Sequence, residues 1–308
     1  SEARDLFGEA LKIKEDYAPA LLGMALVAGE QFEGAAIKSA EKALAADPKL
    51  YEAAEVIARV HLEDGDHKKA AEAANAALKI YPEALDAMAL LGTIDLLNDK
   101  PDSPWMAQAL KINPHYGEAY AIAGHFFIIN RRYDEGIAIY RKALDLDPTL
   151  NETRSDMGVN LMRLGKEDEA RKQLEQVYNA GYQSPETVNS LRLLDSYKNY
   201  DTFKTPTTIL RLNKKESALL RPYFQEEFDR ALATFEKKYH YKLKQPVQIE
   251  AYPDHEDFAV RTLGMPGLGA LGVTFGYVVA MDSPSARKPG QWHWASTMWH
   301  ELSHVYAL

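Results

Sequence analysis

The sequence has no cysteine, no long apolar run and a deficit of positive charge, and each of these removes a class of protein. Without cysteine there are no disulfides and no thiolate ligands, so any bound metal must rest on His, Asp or Glu. No stretch approaches the roughly 18 uninterrupted apolar residues that cross a bilayer. The 45 Asp and Glu outnumber the 36 Lys and Arg, for a formal charge of −9, which argues against a general nucleic-acid binder, whose surface would be basic. There is no initiator Met and no charged-then-apolar leader, and the compartment stays open. What is present is length: 308 residues, 46% of them hydrophobic, suffice for two domains.

The first two-thirds is periodic. An Ala-Leu pair recurs at Ala10-Leu11, Ala43-Leu44, Ala77-Leu78, Ala109-Leu110 and Ala143-Leu144, with a proline four residues later at Pro48, Pro82, Pro114 and Pro148. A small residue recurs upstream of each pair or between them, at Gly23, Ala58, Gly92, Gly124 and Gly158, and the spacings cluster at 32 to 35 residues. Two helices of about a dozen residues with two short turns fill such a period. Small residues such as Gly124 and Ala143 let paired helices approach, while Tyr120, Phe127 and Tyr140 fill the gaps. Each proline ends the second helix of its repeat, because the residue before it is driven out of helical geometry. The stretch Asn98 to Pro104, with two prolines, predicts a shortened or displaced second helix.

The segment from Gly117 to Pro148 resembles a tetratricopeptide repeat. By that resemblance residues 1–183 form an all-α solenoid of about five repeats with a partial one at the front. Residues 184–199 form a helical connector. Residue 1 falls inside the second helix of a repeat, so further repeats are expected upstream. The resemblance implies a peptide or protein partner held in the groove of the array. A rigid spacer without a ligand is the competing reading.

After Tyr182 the pattern changes. Residues 200 to 213 turn β-branched, and Thr207 to Leu212 predicts a strand. An amphipathic helix follows over Lys214 to Tyr239, its stripe made by Phe224, Phe228, Leu232, Phe235 and Tyr239, with Pro222 expected near its first turn. Val247 to Tyr252 predicts a second strand, Glu256 to Leu263 a short helix, and Val273 to Met281 a third strand. Between them the glycines Gly264, Gly267, Gly269 and Gly272 make a loop that lacks the Gly-Lys-Ser/Thr ending of a phosphate loop. A last helix is expected from Trp292 to Leu308, so residues 200–308 read as a mixed α+β domain.

That helix contains Trp299-His300-Glu301-Leu302-Ser303-His304. Two histidines four apart project from one helical face, a spacing that suits two imidazoles on one Zn²⁺. Glu301, one residue after the first, is the candidate general base. The alternative is a helix whose histidines make ordinary hydrogen bonds.

Taken together, residues 200–308 resemble the N-terminal half of a gluzincin catalytic domain, of the bacterial peptidase-MA-like kind related to thermolysin. The resemblance implies zinc-dependent peptide hydrolysis, with His300 and His304 as ligands and Glu301 as base. It implies a third ligand, a glutamate on a later helix, beyond this chain. In such peptidases the substrate pairs with an edge strand, which makes Val273, Thr274, Phe275, Gly276 and Tyr277 the candidate substrate-binding residues. Among upstream groups, Asp254, His255 and Glu256 read as the cap and first turn of the short helix, and His293 lies two turns from His300. The chain is therefore expected to bind zinc weakly or not at all and to lack peptidase activity. A repeat scaffold carrying a non-catalytic peptidase-like domain is the alternative. A non-proteolytic hydrolase is a third reading.

Overall fold

The computed structural model describes residues 2–30 and 34–307, so Leu308, the expected end of the last helix, lies outside the described residues. The chain divides into two compact units, Ser1–Leu150 and Asn151–Leu308.

The first unit is all helical: α1 (Glu2–Ile13), α2 (Ala18–Glu30), α3 (Ala35–Ala46), α4 (Tyr51–Glu63), α5 (His67–Ile80), α6 (Leu85–Leu97), α7 (Pro104–Ile112), α8 (Glu118–Ile129) and α9 (Tyr133–Leu146). From α2 onward they pair as successive antiparallel-repeat hairpins. The small residues act as expected. A Cβ added at Gly124 would lie 2.5 Å from Tyr140 Cδ1, and one at Gly92 would lie 2.8 Å from Met106 Cγ. The second helices are alanine-rich on their inner face, with Ala70, Ala74 and Ala77 fully buried against Ala54, Ala58 and Leu90. Asp47, Tyr81, Asn113 and Asp147, each just before a proline, are extended with φ from −137° to −130°, which is where proline forces its predecessor. The two prolines at 101 and 104 shorten α7 to 9 residues, against 14 in α5 and α9.

The second unit begins with three more helices, α10 (Asn151–Arg163), α11 (Glu167–Asn179) and α12 (Pro185–Ser196). There follow β1 (Tyr200–Lys204), β2 (Thr208–Asn213), α13 (Ser217–Tyr239), β3 (Val247–Tyr252), α14 (His255–Leu263), β4 (Gly272–Phe275), β5 (Val278–Asp282) and α15 (Trp294–Val305). The five strands form one mixed sheet in the order β1-β2-β3-β5-β4. The outer pairs β1/β2 and β4/β5 are antiparallel; β2/β3 and β3/β5 are parallel.

Three expectations need correction. Val273 to Met281 is not one strand: the chain reverses at Gly276 (φ 57°) and returns as β5. The alternation of Val273, Phe275, Tyr277, Val279 and Met281 runs through the turn because β5 is buried on both faces, so its apolar residues carry no signal of where it starts. The β-branched region from 200 holds two strands rather than one, β1 and β2. Pro222 is the sixth residue of α13 and lies inside it, at the cost of one i→i−4 bond.

Period-two alternation sorts the sheet's two faces. Leu210, Leu212, Ile249, Ala251, Val279 and Met281 pack on Phe224, Phe228 and Phe235 of α13 and on Met298, Leu302 and Val305 of α15. On the opposite face, Arg211 and Glu250 stand in register on neighbouring strands. Helices α14, α10 and α11 cover them. Glu250, with no exposed surface, accepts from Arg261 Nε at 2.6 Å, Tyr252 Oη at 2.6 Å and Arg211 Nη1 at 3.2 Å. Arg211 also reaches Glu167 of α11 at 2.6 and 2.9 Å, and Arg261 donates to the Arg163 carbonyl of α10 at 3.2 Å. Burial alone would raise the Glu250 carboxyl pKa, but Arg261 and Arg211, with the bonds from Arg261 and Tyr252, bring it down to about 2.

Candidate functional site

Helix α15 is capped by His293, whose Nδ1 accepts from the Ser296 amide at 3.3 Å. This ring caps a helix in place of the usual hydroxyl or carboxylate. Its inner face is set by Ala295, Met298, Leu302 and Val305, all buried. Trp294 stacks on Phe224 with centroids 4.3 Å apart, and Trp299 meets Phe235 at 5.6 Å while its Nε1 donates to Glu227 at 3.1 Å. These contacts fix the helix's rotation. They leave His300 exposed and His304 half-buried on one outer face.

The two imidazoles converge. His300 Nε2 and His304 Nε2 are 3.2 Å apart, with ring planes at 84°. Two nitrogens bound to one tetrahedral zinc at about 2.0–2.1 Å would be separated by about 3.3 Å. A pair without metal reaches the same spacing by one N–H···N hydrogen bond. Glu301, the next residue round the helix from His300, is turned to β4 and is 6% exposed. Its Oε2 and its backbone oxygen both face Thr274 Oγ1, at 2.8 and 2.9 Å.

Of the five residues expected on the substrate strand, Val273, Thr274 and Phe275 lie on β4, which is the terminal strand of the sheet on that side. Gly276 and Tyr277 do not belong to it: they form the turn into β5. Tyr277 packs instead on the core beneath α13 and α15.

Of the upstream candidates for a third ligand, Glu256 is exposed in the first turn of α14, and the other three are engaged elsewhere. Asp254 caps α14 through the Glu256 amide at 3.0 Å. His255 bonds Asp282 at 2.9 Å and the Leu268 carbonyl at 2.7 Å. His293 caps α15. Among the described residues no group of three or more His, Asp or Glu side chains is placed to hold one ion. Two imidazoles therefore fit zinc, and the third ligand has no counterpart among these residues. The Thr274 contact and the Arg211–Glu250–Arg261 cluster were not legible in the sequence. Their members lie far apart in the chain, and no spacing rule joins them.

The fold and this helix define a helical-repeat protein whose last helices are built into a small α/β unit bearing a two-histidine helix. The chain carries tetratricopeptide repeats: residues 20–84 and 117–150 each match a tetratricopeptide repeat family. No curated protein matches the chain. Among solved structures, it is similar to YrrB, described as a TPR protein with an unusual peptide-binding site, at 20% identity over 57% of this chain and 93% of that one, with a TM-score of 0.35. It is also similar to TTC0263, a thermophilic TPR protein in Thermus thermophilus, at 23% identity over 58% and 97% of the two chains, with a TM-score of 0.42. A third is in the APC/C hetero-tetramer Cut9-Hcn1, at 16% identity over 63% and 39%, with a TM-score of 0.42. Among the described residues no helix is long and apolar enough to cross a membrane.

Proposed function

We propose that the helical repeats bind an extended segment of a protein partner, and that the second unit carries two ligands and the carboxylate of a zinc-hydrolase site. The single observation behind the first reading is the run of tetratricopeptide repeats, an architecture that binds peptides and proteins. The first helices offer polar side chains at matching repeat positions. Glu52, Asp86 and Glu118 each stand six residues before a small residue, and Arg59 and His125 stand one residue after one; all five are half-buried. The partner segment is accordingly expected to be basic. The test is a peptide array probed with the full chain. The hits are then measured against a Glu52→Lys, Glu118→Lys variant. Basic peptides whose binding weakens in the variant and with added salt support the reading; peptide binding that ignores both substitutions, or none at all, refutes it.

The second reading rests on the 3.2 Å approach of the two Nε2 atoms. Bound zinc would supply a Lewis acid for a water and a scissile carbonyl. His300 and His304 would hold it in their neutral forms, Glu301 would accept and later return a proton at its carboxylate, and β4 would align an extended peptide. With two ligands in this chain, the repeat scaffold with a non-catalytic peptidase-like unit is the form that fits the chain as it stands. Zinc titrated into the full chain and into a His300→Ala, His304→Ala variant decides the matter. Weak binding that disappears in the variant is expected, without peptide hydrolysis. Binding indifferent to both substitutions would refute the site.

A further inference from the structure

Strand β4 is drawn unusually close to α15. Alternation places Gly272 and Thr274 on the face of β4 that meets the helix. A Cβ at Gly272 would lie 2.7 Å from Thr297 Cγ2 and 2.8 Å from Glu301 Cγ, so only glycine lets the strand come this near. At that distance the Thr274 hydroxyl spans the Glu301 backbone oxygen at 2.9 Å and Oε2 at 2.8 Å. A carboxylate with 6% exposure has little access to water, so a donor from the protein matters to its orientation. From behind, β4 is held by α10: the Arg163 guanidinium lies over the Phe275 ring at 5.4 Å. Its outer edge carries no further strand among the described residues.

We propose that Thr274 is a positioning residue for Glu301. Its hydroxyl fixes Oε2 on the strand side of α15, and so ties the edge on which an extended peptide would pair to the carboxylate that would accept the attacking water's proton. This rests on the zinc-hydrolase reading of α15. One hydrogen bond then separates peptide alignment from the base, and the residue that makes the contact possible is Gly272.

The experiment uses the full chain with carboxyl-13C-labelled glutamate at fixed pH; the Glu301 signal is identified as the one missing in Glu301→Gln. Thr274→Val keeps the volume and removes the donor, Thr274→Ser keeps the donor, and Gly272→Ala pushes the strand away while leaving the hydroxyl in place. Expected is a displaced Glu301 signal in Thr274→Val and in Gly272→Ala, with Thr274→Ser restoring the parental position. A packing role would predict the reverse order, since Val fills the space better than Ser. A Glu301 signal unmoved in a folded Thr274→Val protein overturns the proposal; should Thr274→Val not fold, Thr274→Ala, which also removes the donor, decides in the same way. Zinc alone, titrated in parallel, separates the two failures. Zinc bound through the histidines with an unmoved Glu301 signal refutes Thr274 and leaves the site standing. A Glu301 signal displaced in Thr274→Val, together with a parent protein that binds no zinc at His300 and His304, leaves the contact standing and refutes the hydrolase reading on which the positioning role rests.

Discussion

Replacing Glu250 by Gln would take one charge from the middle of the second unit and leave two guanidinium groups facing an amide. The carboxylate accepts from Arg261 Nε, Tyr252 Oη and Gln248 Nε2 at 2.6 Å each, and from Arg211 Nη1 and Arg261 Nη2 at 3.2 Å. Removing one partner of a buried pair costs about 3–5 kcal/mol, because the remaining charge stays buried without compensation. The lowered pKa gives a separate figure: from 4.5 to about 2 corresponds to about 3 kcal/mol, at roughly 1.4 kcal/mol per unit. For a unit of this size such a loss moves the midpoint of thermal unfolding down by about 10 °C. Trp292, Trp294 and Trp299 all lie in the second unit, so tryptophan fluorescence during thermal or guanidinium unfolding reports mainly on it. The sign with pH follows from a depressed pKa. The contribution is fully present above about pH 4.5 and is lost as pH falls towards 2. Glu250→Gln should therefore flatten the acid limb of the stability profile. A Glu250→Gln protein within about 1 kcal/mol of the parent at pH 7, or one with the parent's acid limb, would show that the network does not hold the unit together.

Three further outcomes are expected. Burial, then Asp86, pushes the Glu55 carboxyl up to about 7 against the Ala87 amide bond that opposes it, so the parent should lose stability as pH rises from 4.5 through 7. Glu55→Gln should then be more stable than the parent at pH 8, by on the order of 1 kcal/mol once partial exposure is discounted, and no more stable near pH 4.5; an equal difference at both pH values refutes this. Gly124→Ala gains up to about 1 kcal/mol of helix propensity but drives a methyl to 2.5 Å from the buried Tyr140 ring, an overpacking cost of about 1–3 kcal/mol. A net loss confined to the first unit's unfolding transition is expected. For His255, burial lowers the pKa, but the bonds to Asp282 and to the Leu268 carbonyl outweigh it and the net shift is upward, with Arg287 opposing. The protonated ring's hold on the glycine-rich loop is full below about pH 6.5 and is lost as pH rises through the higher folded value. Amide protection across residues 264–271 should fall over that range in the parent and stay flat in His255→Asn.

The helical part was readable because its rules are local. A proline acts on the residue before it, and a glycine acts on the ring across from it; both recur at one period. The α/β unit was readable where one face is buried, as at Leu210, Leu212, Ile249 and Ala251. It was not readable where both faces are, because an apolar run hides the reversal at Gly276. The histidines were visible as a pair because four residues on a helix bring them together. Thr274 was visible only as a strand residue, since its meeting with Glu301 depends on how close β4 comes to α15. Arg211 between Leu210 and Leu212 shows the limit most plainly: alternation places it on the second face of the sheet and is silent on what covers that face.

What covers it is the set of helices just ahead of the sheet, α10 and α11, and this bears on how such a chain can be recombined. Amino-acid composition changes near residue 200, and a cut there looks harmless. It would strip α10, α11 and α12 from the sheet and lay Arg211, Glu250 and Arg261 open to water. The partners named for those charges, Glu167 and the Arg163 carbonyl among them, lie within the second unit. A cut that keeps those charges covered falls ahead of residue 151, not near residue 200.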